Sequence, residues 1–389
     1  MIVPNRPDSR AIVAACLLSA AGALVFNAFP LFLSTIADQF GFGDEALGLL
    51  GTYYLGGFAL VALLAPVWMP RLSWRMTAML AYAVVVMALF WLATTQAAAV
   101  HWGMSLLGMA SAVIFTIGLG VLSAANDPDR AYGFKLSAEM VLAAITMYVM
   151  TSLVIARYGY TGFLWGSAFI YGISALGIFG LPTNLMTKAP GSDSKKGHGF
   201  ANPPVILASA ALFLQFGTFS GVWGFMARFG TLRGVGDDAI GTILTLSLLC
   251  GLGGALACAY LGNRFGQRLP ILLGMVVTIS ALLLLNFSQE VFFFAIAACL
   301  INALLQFLCA YQMGLITELD SSGRYTVMIA FILASSGAVG PGVMGVVLES
   351  HGAGVCLLIC MGVTSLAMVL TTLATGYTPV LRAVASEAQ

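Results

Sequence analysis

Two six-residue stretches decide the reading of this chain: Gly43-Asp44-Glu45-Ala46-Leu47-Gly48 and, 193 positions later, Gly236-Asp237-Asp238-Ala239-Ile240-Gly241. At the same offset, and without a gap, Arg71 falls on Arg264 and Arg75 on Arg268. Further on, Tyr158-Gly159 falls on His351-Gly352; one extra residue of shift brings Arg130 onto Arg324. A match that persists through a helix and the loop after it marks an internal repeat. Each copy is about half the chain.

What each copy contains follows from solvent. Of the 389 residues 60% are hydrophobic and 8% charged, with a mean hydropathy of +0.99. Soluble domains carry about 25% charged residues, so lipid must be the main solvent. A bilayer crossing takes about 20 mostly apolar residues. Breaks at charged or Pro/Gly-rich points divide the chain into twelve segments: 11–37, 44–70, 74–95, 99–125, 131–156, 160–182, 203–228, 237–262, 268–287, 290–318, 324–349 and 353–378. The first is too long for a signal-peptide core and reads as an uncleaved helix. The only long polar insert, 183–202, contains Pro190-Gly191-Ser192-Asp193-Ser194-Lys195-Lys196 and reads as a linker. The expected domains are therefore an N-terminal six-helix bundle, 1–182, and a C-terminal six-helix bundle, 203–389. Six helices return the chain to its starting side, so the two are parallel copies. The fold class is an all-α membrane protein of twelve transmembrane helices in two pseudo-symmetric bundles.

Lys and Arg set the orientation. With the N-terminus inside, inner loops and tails hold Arg6, Arg10, Arg71, Arg75, Arg130, Lys135, Lys188, Lys195, Lys196, Arg264, Arg268, Arg324 and Arg382. The outer side holds Arg157, Arg228 and Arg233. This bias places both termini in the cytoplasm, and the expected location is a bacterial inner membrane.

The loop Gly262-Asn263-Arg264-Phe265-Gly266-Gln267-Arg268 resembles the inner-loop motif of the major facilitator superfamily, of the Gly-x-x-x-Asp-Arg-x-Gly-Arg-Arg type. Its counterpart Met69-Pro70-Arg71-Leu72-Ser73-Trp74-Arg75 keeps the two arginines and lacks both glycines and the acid. The stretch from Phe29-Pro30-Leu31 to Gly51-Thr52 and the loops around Asp127–Gly133 and Asp320–Arg324 are similar to that family's corresponding connections. Gly340-Pro341-Gly342 looks like its glycine–proline hinge. The resemblance implies a monomeric secondary transporter that binds solute between the halves and rocks to expose it alternately. Two departures stand out. Helix 4 offers only Ser105, Ser111, Thr116 and Ser123 as polar groups, without the arginine of many proton-coupled antiporters, and helix 1 lacks a mid-membrane acid.

In that family helices 1, 4, 7 and 10 face the central cavity. Candidate substrate-binding residues are then the amides Asn27, Gln215, Asn302 and Gln306, with Phe26, Phe219, Trp223 and Tyr311 as an aromatic wall. Amides in hydrocarbon are costly unless partnered; cavity lining and interhelical hydrogen bonding both account for them. Glu139 is the one acid well inside a helix. It is a candidate to carry a coupling proton, or to pair with Arg71, Arg75 or Lys135 as a gate. Arg264 and Arg268 join this coupling or gating set. So does Arg228, which either attracts an anionic solute or snorkels to headgroups.

The seven cysteines lie singly in apolar runs and read as core residues, and the three histidines are too dispersed for a metal site. Neither a P-loop nor a catalytic triad is present, so the chain is expected to be no enzyme, with no cofactor, metal or nucleic-acid partner. Few fixed charges favour export of an amphipathic compound. Uptake of a small metabolite or organic anion, and a transporter-like sensor that no longer transports, are the alternatives.

Overall fold

The computed structural model describes residues 7–123, 128–181, 203–262, 264–287, 290–320 and 324–376. The linker at 183–202, Lys188, Lys195, Lys196 and both chain ends lie outside them, as do the side chains of Arg130 and Arg324.

Among the described residues nine helical stretches are long and apolar enough to cross a bilayer. Two of them, Phe134–Gly180 and Met328–Gly376, are 47 and 49 residues long. At 1.5 Å per residue each would run about 70 Å, more than twice the hydrocarbon thickness. Both are broken at a glycine: Gly159 has φ 57° and ψ −148°, Gly352 φ 78° and ψ 172°. A side chain at either angle would be strained, so these are turns between passes. The first pass is also interrupted. Its segments Ser9–Gly22, Leu24–Asn27 and Phe29–Phe40 bend at Ala23 and Ala28, where the sequence predicts one helix over 11–37.

Numbered in chain order, α1 is this broken pass; α2 is Asp44–Trp68, α3 Trp74–Thr94 and α4 Val100–Ser123. Helix α5 starts as Pro128–Val149 and continues through the π-helical turn Met150–Ile155, and α6 follows Gly159 to the 3₁₀ turn Ala175–Gly180. Helix α7 comprises Pro203–Gly224 and Met226–Thr231, α8 is Asp237–Leu261, α9 Arg268–Phe287 and α10 Val291–Leu319. Helices α11 and α12 lie before and after Gly352, over 324–351 and 353–376. The twelve passes rest on this division.

The offset of 193 reappears in the backbone. Helix α8 begins and ends 193 residues after α2. The left-handed glycines obey it too: Gly41 (φ 66°) pairs with Gly234 (φ 73°), and Gly159 with Gly352. Within each half the helices meet backbone to backbone. A Cβ at Gly57 of α2 would stand 2.6 Å from the Ser105 carbonyl oxygen of α4, and one at Gly254 of α8 would strike the Ala303 carbonyl of α10. Small residues admit this close approach where no hydrophobic force drives helices together.

Candidate functional site

The end of the molecule that carries Asp38, Asp44, Asp237 and Glu349 is called here the acidic end. The end with Arg10, Arg71, Arg75, Arg264 and Arg268 is the basic end. At the acidic end the halves are joined. Arg228, at the close of α7, donates from Nε to Asp44 Oδ1 at 2.9 Å, the first residue of α2. Glu349, near the end of α11, accepts the backbone N–H of Glu45 at 2.5 Å. A carboxylate from one half thus caps a helix N-terminus of the other, where the helix dipole favours a negative charge.

Beneath these polar contacts α2 and α11 lie almost in backbone contact. A Cβ on Gly48 would stand 2.9 Å from Gly345 Cα, and one on Gly51 would stand 2.7 Å from Pro341 Cβ. Thr52 Oγ1 donates to the Ala338 carbonyl at 2.7 Å. The symmetry-related seam joins α5 to α8: Gly241, the counterpart of Gly48, packs on Thr151 in the π-helical turn. The halves therefore meet along two seams of equivalent helices, one fitted by Pro341 and glycine, the other by a π-bulge.

Gly340, Pro341 and Gly342 face two neighbours. Gly340 packs on the Gly217 carbonyl of α7, while Pro341 and Gly342 face Gly51 and Thr52 of α2. Helical geometry runs through Pro341, and the break in this segment is at Gly352.

Near mid-depth α1 touches α7. The rings of Phe26 and Phe216 stack at 6.0 Å, and Trp223 Nε1 donates to the Phe26 carbonyl at 3.2 Å. That carbonyl lies just before the bend at Ala28, where the helical ladder is interrupted. Across the other seam, Gln306 Nε2 of α10 lies 4.0 Å from Met140 Sδ of α5. Asn302, one turn away, turns its Oδ1 toward Gly251 of α8, close to the same thioether. Gln215 sits elsewhere. It shares the buried stripe Ala208, Leu212, Gln215, Phe219 and Val222 of α7. Both polar atoms of Gln215, Asn27 Nδ2 and Asn302 Oδ1 are buried with no hydrogen-bond partner among the described residues.

Toward the basic end each half turns to its own partners. Gly118 of α4 packs on Ala15 and Ser19 of α1, and Gly177 of α6 on Leu18. In the other half Tyr311 Oη donates to the Gly262 carbonyl at 2.8 Å, tying α10 to the end of α8. The basic-end arginines also stay within their halves. Arg75 donates to the carbonyls of Leu181 and Phe179 at 2.7 and 3.2 Å, closing the C-terminus of α6. Arg264 lies over the ring of Tyr260, and Arg71 and Arg268 are exposed.

Glu139 pairs with Lys135. Lys135 Nζ lies 2.9 Å from Glu139 Oε1, and the same oxygen accepts from Ser19 Oγ of α1 at 2.8 Å. The ammonium also stands 4.6 Å from the centroid of the Phe115 ring of α4. Both charged residues are buried, at 8% and 5% exposure. Lys135 is also within electrostatic reach of the Cys309 thiol of α10, in the other half. Of the three partners the sequence allows for Glu139, the nearest in sequence is the one it takes. The sequence places Lys135 in an inner loop, yet it lies at a buried level of α5. The spacing Lys-x-x-x-Glu was the available signal. Glu349 and Asp44 were missed because a cap and a latch between halves leave no local pattern.

Among the described residues no group of three or more His, Cys, Asp or Glu is placed to hold a metal ion.

The sequence matches no family model and no curated protein. The fold is shared with solved structures of membrane transporters. A mutant of the nucleoside transporter NupG superposes with a TM-score of 0.74 at 14% identity, covering 95% of this chain and 100% of that one. The human organic anion transporter MFSD10 (TETRAN) superposes at 0.69 and 16% identity, covering 94% and 100%. At these identities the likeness is one of fold.

Proposed function

We propose that the protein is a secondary transporter that carries a small organic solute across a bacterial inner membrane by alternating access. One observation supports this most: the described contacts between halves gather at the acidic end and reach mid-depth, where each half turns to its own partners. That is the arrangement of a transporter closed on one side and open to the other. The halves are residues 1–182 and 203–389, with the basic end, both termini and the 183–202 linker cytoplasmic. The state is then inward-facing. Cation-rich faces meet anionic lipid and stay on the cytoplasmic side.

The solute site is read at mid-depth, around Phe26, Asn27, Asn302 and Gln306, with Trp223 behind the aromatic pair. Gln215 and Phe219 support it from the α7 core. Glu139 is the coupling residue. No cofactor, enzymatic step or nucleic acid belongs to this reading; the partners are solute, protons and lipid, and the working unit is a monomer. Few fixed charges favour export of an amphipathic compound. The buried Lys135 is the specific observation favouring the second reading, proton-coupled uptake of an organic anion. Purified protein in proteoliposomes tests both. Gradient-driven flux is expected from the wild type and not from Glu139→Gln, whereas unchanged flux in that variant removes Glu139 from the coupling role. Absence of flux for any solute tried in either direction returns the chain to the sensor reading.

A further inference from the structure

The Lys135–Glu139 pair is placed against the preferences of its own helix. On a helix the favourable order at i, i+4 is the acid first, and cations belong near the C-terminus. Here the cation comes first, two turns after the start of α5 at Pro128. Burial removes both groups from water, and such a pair gives little net stability over an apolar one. Local helix energetics and packing therefore leave its presence unexplained, and an intramembrane ion pair points to function.

Its surroundings are those of a site. Glu139 is held by Ser19 as well as by Lys135. The ammonium also lies against the ring face of Phe115, and it is within electrostatic reach of the Cys309 thiol in the other half. Met140, the residue after Glu139, meets the Gln306 amide across the seam. The pair thus lies against a ring of α4, and one residue along α5 the Met140 thioether meets an amide of α10. Lys135 is a turn nearer than Glu139 to the basic end, on the side where the halves part.

We infer that Lys135 is the anchor for an organic carboxylate, which replaces Glu139 as its counter-ion when Glu139 takes up a proton. A neutral Glu139 keeps its bond to Ser19 and leaves the ammonium uncompensated in a medium of low dielectric. That state is costly until another anion arrives. Proton and carboxylate therefore bind as a pair, each raising the affinity of the other by the same factor. The site has the same net charge before and after. No bond other than the O–H of Glu139 forms. This rests on the transporter reading above and names the solute class for it. Among the described residues, the titratable groups that interact electrostatically with the pair are Cys16 of α1 and Cys309 of α10.

Benzoate and its uncharged isostere benzamide, offered to the detergent-purified full chain between pH 6 and 8, test the assignment. Benzoate is expected to raise the melting temperature, and benzamide is not. One proton taken up per anion predicts an affinity that rises about tenfold per pH unit as pH falls. Glu139→Gln is expected to bind benzoate at least tenfold tighter than wild type at pH 8, with no pH dependence. The double variant Lys135→Gln/Glu139→Gln, which leaves no buried charge and so avoids the folding defect of a single removal, is expected to lose benzoate binding. Cys16→Ser and Cys309→Ser should leave the slope intact. Equal effects of benzoate and benzamide, no binding of either, a pH-independent wild type, or binding retained in the double variant each overturns it. Binding in detergent does not require transport. Charge-selective binding without flux in proteoliposomes would sink the transporter reading alone, and flux without such binding would sink the carboxylate assignment alone.

Discussion

Arg228 and Asp44, 184 positions apart in the chain, meet at 2.9 Å and close the acidic end between α7 and α2. The side chain of Arg228 is 47% exposed and that of Asp44 12%, so water screens the pair. Such bridges contribute about 0.2–1 kcal/mol. Asp44→Asn or Arg228→Gln should therefore shift the balance between closed and open states by up to about fivefold, without unfolding the protein. A cysteine at Leu55, buried where α2 faces Gly337, reports this through its rate of alkylation by an impermeant maleimide. The double variant should add little to either single change, and raised salt should reproduce part of the effect.

Close approach of α2 and α11 gives a second, sharper test. A Cβ on Gly48 meets Gly345 Cα at 2.9 Å, between the halves; a Cβ on Gly108 meets the Tyr54 carbonyl within one half. Overpacking costs about 1–3 kcal/mol in either place, with different consequences. Gly48→Ala should leave the melting temperature near that of wild type and speed Leu55→Cys alkylation about fivefold or more. Gly108→Ala should lower the melting temperature by several degrees and leave the alkylation rate of the folded fraction unchanged.

These two glycines also show how far the sequence could be read. Hydropathy, the 193-residue repeat and the linker reveal the passes because each depends on local composition, and Gly41/Gly234 and Gly159/Gly352 mark turns the repeat already pairs. Contacts between halves are a different matter. Glu349 and Arg228 find their partners only after twelve helices have packed, and their repeat counterparts, Ala156 and Thr35, carry no charge. Symmetry therefore cannot predict them. Lys135 differs for a plainer reason: it falls in the fifth segment, 131–156, but so near its inner end that it counts with the loop cations, whereas α5 begins three residues earlier, at Pro128, and Lys135 is buried. Asn27, Gln215 and Asn302 illustrate the remaining ambiguity. Sequence identifies each as an intramembrane amide, but which face of its helix is buried against which neighbour is set by bends such as Ala28 and Phe225.

The cap formed by Glu349 separates charge from hydrogen bonding. Glu349→Gln keeps an acceptor for the Glu45 N–H and loses the charge opposite the helix dipole, while Glu349→Ala loses both. Caps are worth about 0.5–2 kcal/mol. Alkylation at Leu55→Cys should therefore rise in the order wild type, Glu349→Gln, Glu349→Ala, the last by up to about thirtyfold. Equal rates in all three would show that the glycine seam alone holds the acidic end shut.

Removal of one member of the Lys135–Glu139 pair differs from removal of both. Lys135→Met strands a carboxylate with Ser19 as its one remaining protein partner in the pair's network, and Glu139→Gln strands an ammonium against the Phe115 ring. Breaking a buried pair from one side costs about 3–5 kcal/mol, whereas replacing both members by neutral residues is often close to neutral. Thermal unfolding in detergent should show each single variant melting several degrees below wild type and Lys135→Met/Glu139→Gln recovering most of that loss. Ser19→Ala should cost about 1.5–3 kcal/mol in the wild type, because it removes a hydrogen bond to a charged acceptor. In the double variant it should cost less, since the acceptor is then an amide. Full additivity of the two single changes would mean that Lys135 and Glu139 are each satisfied by other partners, and the pair would lose its claim to be one functional unit.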